Sequence, residues 1–321
     1  MNADLWKPSA SIETLQQRAK ALRDIRFFFN QRQVMEVDVP VLSMAAVSDP
    51  FIDSMEVSYQ HHPDSDIYPY YLQSSPEYAM KRLLAAGSGC IYQMAKVFRN
   101  GEIGRKHNPE FTMLEWYRLG FNERSLMREV ADLVSIITGI NAFEEYSYKA
   151  VFEKFLGIDI HTASQEQLAQ TMNQYVEVSG DYDRDGWLNL LMSHCIEPQL
   201  NGAVFIYDYP ASQAALARVK KDEQGNRVAA RFELFVNGIE LANGYHELTD
   251  SDEQQRRFEK DLADRKALDL PQRPYDTRLV KALANKLPDC AGVALGVDRL
   301  LMLALNKDEI SEVMPFDFSR A

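Results

Sequence analysis

The sequence predicts an α+β fold, and three observations support this prediction. An amphipathic helix is predicted near the start of the chain, over residues 11–33, and a buried helix near its end, within residues 292–305. Between them, the strand-like segments 228–236 and 239–248 flank an Asn-Gly pair, a strong signal for a two-residue hairpin. Helices at both ends with antiparallel hairpins between them are typical of α+β proteins, not of alternating βαβ units.

Length and composition limit the class of protein. The chain has 321 residues, of which 46% are hydrophobic, so a large domain with a buried core can form. Its net charge of −12 disfavours a surface that binds nucleic acid uniformly, so a site for a polyanion must be local. Cys90, Cys195 and Cys290 are far apart, which fits neither a disulfide framework nor a zinc cluster. With no signal-peptide core and no membrane-length apolar stretch, we expect a soluble cytoplasmic protein.

The first two elements are a helix and an interrupted strand. The apolar positions of the helix at residues 11–33 recur at helical spacing and are Leu15, Ala19, Leu22 and Ile25. Residues 34–43 then form a short strand, which Pro40 breaks because proline cannot donate a hydrogen bond within a sheet.

A second helix is predicted over residues 74–87. Ser75 can cap it, and Pro76 suits its first turn because proline has no amide hydrogen to satisfy there. Glu77 complements the positive end of the helix dipole, and Gly87 can end the helix.

Residues 90–98 and 111–119 are predicted to be two strands of a long hairpin. Strand alternation places four side chains on one face of the second strand: Phe111, Met113, Glu115 and Tyr117. The connecting loop carries the cations Arg99, Arg105, Lys106 and His107. A guanidinium binds two phosphate oxygens at once, and Phe111 offers a ring on which a base can stack. The strand alone would be an amphipathic strand with one solvent face, but strand and loop together predict a nucleoside triphosphate site outside the P-loop class.

The hairpin around Asn237 and Gly238 carries two carboxylates. With these residues as the turn, Phe235 pairs with Glu240, and Glu233 lies on the same face as Glu240 at roughly 7–8 Å between backbones. Converging carboxylates suit Mg²⁺, which favours one or two carboxylates plus substrate phosphates. The competing interpretation is a solvated acidic face, but the apolar neighbours indicate a buried hairpin and favour the metal.

The same strand continues to two further polar residues. Strict alternation places Asn243 on the opposite face, so it reaches the carboxylates only if the strand twists or bulges near Gly244. Glu247 would lie beyond that bend. Downstream, Gly292 and Gly296 allow close approach of backbone to a ligand and Arg299 opens a helix, although an ordinary turn explains this pattern equally well.

These stretches together resemble the catalytic core of class II aminoacyl-tRNA synthetases. The first family motif, a long helix followed by a strand and a proline, is matched by residues 12–43. The second, Phe-Arg-x-Glu followed by a loop and His-x-x-x-Phe, is matched by residues 98–111, and the third, a glycine-rich strand with an acidic residue and Arg, by residues 296–299. The resemblance implies one catalytic domain over residues 1–321, in which helices flank an antiparallel sheet. Its core is 10–120 and 203–318, with a mostly helical insertion at 121–202.

Within the class, residues 75–84, 107–117 and 238–250 are similar to lysyl-tRNA synthetases. Because the chain starts at the first-motif helix, we expect no anticodon-binding OB-fold. Ser75 and Ala294 stand where those synthetases usually carry Ala and Gly. This combination is similar to the elongation factor P–lysine ligase family, truncated synthetase-like enzymes that attach β-lysine to a lysine side chain of elongation factor P.

The resemblance implies that ATP is a substrate and that Mg²⁺ accompanies it. Arg99 and Arg299 match the catalytic arginines, at the α-phosphate and on the γ-phosphate side respectively. The positions implied to bind ATP are Arg99, Asn100, Glu102, His107, Asn108, Phe111, Glu240, Leu241, Gly296 and Arg299. The implied metal ligands are Glu233 and Glu240.

The resemblance also implies an acidic pocket for the amino acid. The matching positions are Ser75, Pro76, Glu77, Glu115, Tyr117, Asn243, Glu247 and Ala294. Glu77 corresponds to the residue that holds the backbone amine. Carboxylates around a side chain favour a diamino acid on physical grounds as well, because aspartate or asparagine would need cations there. The β-amino preference is an implication of the resemblance, through Ser75 and Ala294.

The sequence alone leaves two candidate acceptors for the activated amino acid, a tRNA and a protein. A tRNA needs many phosphate contacts, which a net charge of −12 disfavours. Five cations near the metal hairpin could instead guide an acidic protein such as elongation factor P, or could line a solvated loop: Arg218, Lys220, Lys221, Arg227 and Arg231. A minimal lysyl-tRNA synthetase is the alternative enzyme. An inactive lysine-sensing or dimerising paralogue is the third hypothesis, which intact arginines and carboxylates disfavour.

Two further expectations concern assembly and the nucleotide loop. The first-motif helix with its apolar Phe27, Phe28 and Phe29 predicts a homodimer, as in class II enzymes.

In the loop, Glu102 stands one residue later than the motif glutamate. A bulge with positive φ at Gly101 would turn Glu102 back toward the nucleotide.

Overall fold

The computed structural model describes residues 5–178, 180 and 182–321. Its α-helices are, in chain order, α1 (Ile12–Gln31), α2 (Glu77–Ala85), α3 (Glu123–Thr138), α4 (Tyr148–Leu156), α5 (Gln165–Met172), α6 (Arg184–Leu191), α7 (Ser251–Ala267), α8 (Thr277–Ala284) and α9 (Val297–Ala304). A π-helical turn spans Met192–Ile196, and short 3₁₀ segments span Glu197–Gln199, Ala211–Gln213 and Ile310–Val313.

The strands are β1 (Met35–Glu36), β2 (Leu42–Ser43), β3 (Glu56–Gln60), β4 (Ile67–Leu72), β5 (Ile91–Phe98), β6 (Glu110–Leu119), β7 (Phe143–Ser147), β8 (Ala203–Pro210), β9 (Val219–Lys221), β10 (Arg227–Val236), β11 (Ile239–His246) and β12 (Cys290–Gly296). The predicted mixture of helices and antiparallel strands is therefore confirmed. The chain divides into two compact units, of which the second comprises Phe121–Asp132 and Ile140–Leu248. The first contains the remaining segments, so the second unit extends well past residue 202, the predicted end of the helical insertion.

In the first unit, four strands pair in the order β1-β5-β6-β12. β5, β6 and β12 are antiparallel neighbours, and the short β1 runs parallel to β5. The predicted hairpin of β5 and β6 is confirmed, and its register places Gln93 on one side of Glu115 and Ala294 on the other. Because paired residues project from the same face, Glu115 and Ala294 share one face of the sheet.

The first unit also contains a small sheet in the order β2-β4-β3, of which β3 and β4 were not predicted from the sequence. β3 alternates polar and apolar residues but over only five positions, most of them exposed, and β4 contains Pro69, which argues against a strand. Pro40 does separate β1 from β2, as predicted.

Helix α1 begins where the Ser11 side chain accepts a hydrogen bond from the Thr14 amide, a standard N-cap. The predicted buried face of this helix is partly wrong, because Ala19 is exposed while Arg18 is buried. Helical spacing predicted Ile25 correctly, which is fully buried. The apolar pattern does not include Arg18, because charged side chains are rarely buried unless they have a partner.

In the second unit, strands pair in the order β11-β10-β8-β7, and β9 lies beside β10. The predicted Asn-Gly hairpin is confirmed: Asn237 and Gly238 have φ of 49° and 71°, and they join β10 to β11. A side chain at Gly238 would meet the Glu197 carbonyl oxygen at 2.6 Å, so this turn also requires the small residue. Strand β7 pairs in parallel with β8 and was missed, because its sequence, Phe143–Ser147, is largely polar.

The core of the second unit lies between its helices and sheet. Aromatic and aliphatic residues of α4, α5 and α6 pack against β8 and β10, including Phe152, Trp187 and Phe235. In the described part of the chain, no helix is long and apolar enough to cross a membrane. The cysteines Cys90, Cys195 and Cys290 are free.

Candidate active site

The loop between β5 and β6 brings three predicted residues together in the first unit. Arg99 directly follows β5, and its guanidinium lies over the Phe111 ring at 5.3 Å from the centroid. The Glu102 carboxylate is 3.6 Å from an Arg99 nitrogen. The Arg99 Nε is buried and has no hydrogen-bond partner among the described residues, so this donor is available for an anion.

Gly101 permits this arrangement. Its φ is +77°, a conformation that side-chain-bearing residues rarely adopt, as the sequence predicted. The predicted strand bulge is wrong, because β5 already ends at Phe98 and Gly101 lies in a turn. The turn nonetheless points Glu102 back toward Arg99.

The two asparagines of this loop have partners within the protein. Asn100 donates to the Asp53 carboxylate at 2.7 Å and, through its backbone amide, to the Asp53 carbonyl oxygen at 2.8 Å. Asn108 donates to the Glu110 carbonyl oxygen at 2.6 Å and accepts from the Phe318 amide at 2.9 Å. Both amides therefore hold the loop in place.

Sequence reasoning missed what fixes Asp53. Arg273 lies 2.9 Å from its carboxylate, and the buried Arg265 donates to the carbonyl oxygen of Asp49 at 2.9 Å. These arginines thus anchor the segment against which Asn100 is held. Neither arginine belongs to a recognisable motif, because the contacts join residues more than 200 positions apart.

Arg299 lies at the start of α9 and contacts the same loop. One of its guanidinium nitrogens is 2.7 Å from His107 Nε2, and its Nε donates to the Lys106 carbonyl oxygen at 3.3 Å. An arginine can only donate, so His107 accepts through Nε2 and is neutral in this arrangement. The structure thus brings together the two groups that the resemblance places on the γ-phosphate side.

Asp298, the residue before Arg299, is a buried anchor that the sequence did not identify. Its carboxylate binds the buried Arg18 of α1 at 2.6 Å and accepts from the Thr112 amide of β6 at 2.6 Å. Arg18 also donates to the Thr112 hydroxyl at 2.9 Å and to the Val313 carbonyl oxygen at 3.0 Å. This ion pair therefore ties all three motif regions together immediately behind Phe111 and Arg299.

The predicted amino-acid pocket has a buried carboxylate at its centre. Glu115 accepts from the Ser75 hydroxyl at 2.7 Å and from the Tyr117 hydroxyl at 2.6 Å. Ser75 also accepts from the Glu77 amide at 3.0 Å, which places Glu77 at the start of α2 with Pro76 as its N-cap. Ala294 pairs with Glu115 across β12 and β6.

The environment of Glu115 disfavours its charged form. Burial and, next, the negative charge of Glu77 raise the pKa of Glu115 to about 8, against hydrogen bonds from Tyr117 and Ser75 and the charge of Lys81. A strongly shifted carboxylate in a candidate site is typical of a group that acts on a charged ligand. Here a cation would favour the ionised form.

The second unit holds the predicted carboxylate pair on β10 and β11. Glu233 is buried, accepts from the Tyr209 hydroxyl at 2.6 Å and binds Arg231. Burial raises the pKa of Glu233, Arg231 opposes this, and the charge of Glu240, which pairs with Phe235 two residues along β10, raises it further. Glu240 is exposed, so the hairpin is buried on β10 but not along all of β11.

A bulge in β11 corrects the predicted position of Asn243. Leu234 pairs with Ala242 and Phe235 with Glu240, which leaves Leu241 as the extra residue. Asn243 therefore pairs directly with Glu233 and shares its face, and the bulge lies at Leu241, not near Gly244. The Asn243 Oδ1 is buried and accepts no hydrogen bond from the described residues.

Glu247 follows β11 and is buried. Its backbone is held by the segment before β9: it bridges to Ala217, and its carbonyl oxygen accepts from Arg218 Nε at 3.0 Å. One residue earlier, His246 lies 3.5 Å from the buried Glu123, which also binds Lys220. Burial opposes ionisation of Glu123, but His246 and Lys220 outweigh it and lower the pKa of Glu123 to about 2.

These contacts change the interpretation of the five cations near the Asn-Gly hairpin. Arg218 holds the Glu247 backbone, Lys220 pairs with Glu123 and Asp208, and Arg231 pairs with Glu233. Three of the five cations therefore support the second unit internally. Among the residues that the structure describes, no group of three or more histidine, cysteine or acidic side chains is arranged to hold a metal ion by itself.

The chain is similar to proteins of a known family. Residues 3–320 match the family model of class II tRNA synthetases (D, K and N). The chain is 48% identical over 326 residues to elongation factor P–(R)-β-lysine ligase of Pseudoalteromonas translucida, covering 100% of both chains. It is 48% identical over 318 residues to the protein of the same name from Vibrio parahaemolyticus and 46% identical over 319 residues to that from Pasteurella multocida, covering 98% of each chain in both cases.

Proposed function

Because the chain belongs to the class II tRNA synthetase family (D, K and N), we propose that it is an ATP-dependent ligase that attaches lysine or β-lysine to a lysine side chain of elongation factor P. The observation that carries the choice of substrate is the buried carboxylate Glu115, held by Ser75 and Tyr117. A buried carboxyl group of this kind, which a cation drives to its ionised form, matches the ammonium group of a diamino acid.

The reaction has two steps. The substrate carboxylate attacks the α-phosphorus of ATP, forming a mixed anhydride with AMP and releasing pyrophosphate. The acceptor amine, after losing a proton, then attacks the activated carbonyl carbon, forming an amide and releasing AMP. The first step needs positioning and charge neutralisation, which preorganised cations supply.

The loop after β5 supplies these groups for ATP. Arg99 bridges the substrate carboxylate and the α-phosphate, using donors that include its unpaired Nε. His107 and Arg299, already in contact, bind the γ-phosphate side, and Phe111 stacks on the adenine. Asn100 and Asn108 contribute to the adenine-binding side of the site mainly by holding the loop in place. Leu241 and Gly296 offer backbone atoms to the ribose and adenosine.

Glu233 and Glu240 are the groups that would hold Mg²⁺. Burial and, in addition, the charge of Glu240 raise the pKa of Glu233, so a bound cation would favour its ionised form. Carboxylate oxygens are the ligands that Mg²⁺ prefers. When bound with ATP, the ion neutralises phosphate charge. Tyr209 and Arg231 hold Glu233 in place, and burial raises the pKa of Tyr209 so that its hydroxyl stays a donor.

The amino acid is bound by acidic and amide groups. Glu77 binds the backbone-side amine, and Glu115 with Tyr117 binds the distal ammonium. In the second unit, Asn243 offers its unpaired Oδ1 as an acceptor, and Glu247, which follows shortly after it in sequence, is a buried carboxylate. Ser75 and Ala294 add a hydroxyl and a methyl group to the pocket beside Glu115, and the resemblance implies that they favour a β-amine over an α-amine.

A protein acceptor is preferred over tRNA. The relatives at 46–48% identity are named for elongation factor P, and the net charge of −12 disfavours a polynucleotide. The internal pairing of Arg218, Lys220 and Arg231 removes much of the basic surface that either acceptor could use. A translation factor as acceptor places the enzyme in the cytoplasm.

ATP–pyrophosphate exchange with a panel of amino acids tests the first step. We expect exchange with (R)-β-lysine and more weakly with lysine, and none with aspartate or asparagine. Transfer is then compared between elongation factor P and tRNA under identical conditions. Acid-precipitable charging of tRNA, without modification of the factor, would replace this proposal with a minimal lysyl-tRNA synthetase.

A further inference from the structure

Lys81 of α2 is a buried cation that none of the roles above uses. It is 1% exposed and the only lysine buried in the described part of the chain. Lysine is almost never fully buried unless it is paired, because its charge loses the stabilisation of water. Its burial beside the amino-acid pocket therefore needs a reason.

Lys81 is connected to every polar group of that pocket in the first unit. Its Nζ lies 2.5 Å from a Glu77 carboxylate oxygen, one helical turn away. The Glu77 amide donates to Ser75, and Ser75 donates to Glu115, whose other oxygen accepts from Tyr117. The positive charge of Lys81 also lowers the pKa of Glu115, so its electrostatic influence reaches the far end of this chain of contacts.

The net charge of the amino-acid pocket explains why a buried lysine lies beside two carboxylates. Glu77 and Glu115 repel each other, and the neighbours of Glu115 on β5 and β12, Gln93 and Ala294, carry no charge. Lys81 places a positive charge between α2 and this pocket and gives the Glu77 carboxylate a fixed partner at 2.5 Å.

We propose that Lys81 is a positioning residue for amino-acid binding: it holds the Glu77 carboxylate in place for the substrate amine and balances the negative charge of the pocket. Substrate binding then adds its ammonium groups to a site that is already oriented. This inference rests on the proposed function, because it takes from it that Glu77 binds the amine of a diamino acid. The competing role is a buried ion pair that only stabilises α2.

Lys81→Met tests the proposal through ATP–pyrophosphate exchange with (R)-β-lysine over a range of pH. We expect the KM for the amino acid to rise about tenfold or more, as for loss of a charged hydrogen bond, with the KM for ATP within about twofold. The pH at which amino-acid binding is half lost should move up by about one unit, because Glu115 no longer feels the lysine charge. A purely structural ion pair would move neither quantity.

Two further variants complete the experiment. Lys81→Arg retains the charge but not the length, so it should keep the wild-type pH midpoint while the KM for the amino acid rises; this variant serves if Lys81→Met does not fold. Lys260→Met is the matched control, since Lys260 also forms a 2.5 Å helical ion pair, with Asp264, but is exposed. It should leave both KM values and the pH midpoint unchanged.

The outcomes separate this inference from the proposed function. If the wild-type protein supports no exchange with any diamino acid, the proposed function fails. If the wild type is active and Lys81→Met keeps both its KM for the amino acid and its pH midpoint, Lys81 is structural and the inference is overturned. If Glu77→Gln and Lys81→Met have additive effects on KM, Lys81 does not act through Glu77, which also overturns it.

Discussion

Glu115 is the side chain whose protonation connects the pocket to pH. With its pKa raised to about 8, mainly by burial and by Glu77, it is mostly neutral at pH 7 in the free protein. An ammonium ligand favours the ionised form, so binding must release a proton below that pH. The affinity for the amino acid therefore falls as pH decreases below about 8.

This pH dependence is measurable directly. We expect the KM for the amino acid to rise by up to about tenfold per pH unit below the Glu115 pKa, while the KM for ATP follows a different profile. Calorimetry in buffers of different ionisation enthalpy should detect close to one proton released per amino acid bound at pH 7. Binding without proton release would show that Glu115 is already ionised in the free protein.

Glu102 is the second side chain with a distinct expectation. It lies 3.6 Å from Arg99 in a loop that the resemblance assigns to ATP. We expect Glu102→Ala to raise the KM for ATP about tenfold, since one hydrogen bond to a charged group contributes roughly 1.5–3 kcal/mol, with little change for the amino acid.

Glu110→Ala is the control for this prediction, because Glu110 is a neighbouring glutamate that pairs with the exposed Lys96. It should leave both KM values unchanged. If Glu102→Ala also leaves exchange unchanged, Glu102 is a solvated loop residue and the adenine is held by Phe111 and backbone.

The junction of β12 and α9 depends on one buried ion pair. Asp298 contacts Arg18 of α1 and the Thr112 amide of β6. We expect Asp298→Asn to lower the free energy of unfolding by about 3–5 kcal/mol, because it leaves the Arg18 charge buried without a full partner. Chemical denaturation measures this, and exchange activity should fall with it because Arg299 loses its support.

A double variant separates the two effects. Arg18→Met with Asp298→Leu removes both charges, so stability should recover, since apolar replacement of a buried pair is often neutral or stabilising. Activity should recover only in part, because the contact to the Thr112 amide is lost. Unchanged stability in Asp298→Asn alone would contradict the anchoring role.

Sequence patterns predicted the strands and hairpins that carry the site, but not the contacts that hold it. The β5–β6 hairpin and the Asn-Gly turn follow from alternation and turn chemistry. The bulge at Leu241, which places Asn243 opposite Glu233, follows from a local register change that periodicity does not contain. Arg18 and Lys81 were not identified because a charged residue in a helix is ordinarily assigned to solvent.

Exposed apolar residues bear on the assembly of the protein. Ile12, Phe27 and Ile67 of the first unit are each more than 60% exposed, on α1 and the small sheet. In the class II enzymes that the chain resembles, the first motif forms the dimer interface, so a second subunit would cover these residues. We therefore propose a homodimer.

Sedimentation at micromolar concentration checks this. We expect a species of twice the 36.7 kDa chain mass, and expect Phe27→Glu to shift it toward the monomer because a charge would be buried in the interface. Ile136→Glu, at an exposed residue outside the first-motif helix, should not do so. A wild-type protein that sediments only as the monomer contradicts the proposal.

Transfer of the activated amino acid to a protein is the step that distinguishes this enzyme from a tRNA synthetase. Intact-mass measurement of elongation factor P, incubated with this protein, ATP and (R)-β-lysine, follows that step itself. We expect a mass gain of one lysyl residue that requires ATP and is lost when the acceptor lysine of the factor is replaced by arginine. If elongation factor P stays unmodified while ATP–pyrophosphate exchange proceeds in the same reaction, then elongation factor P is not the acceptor.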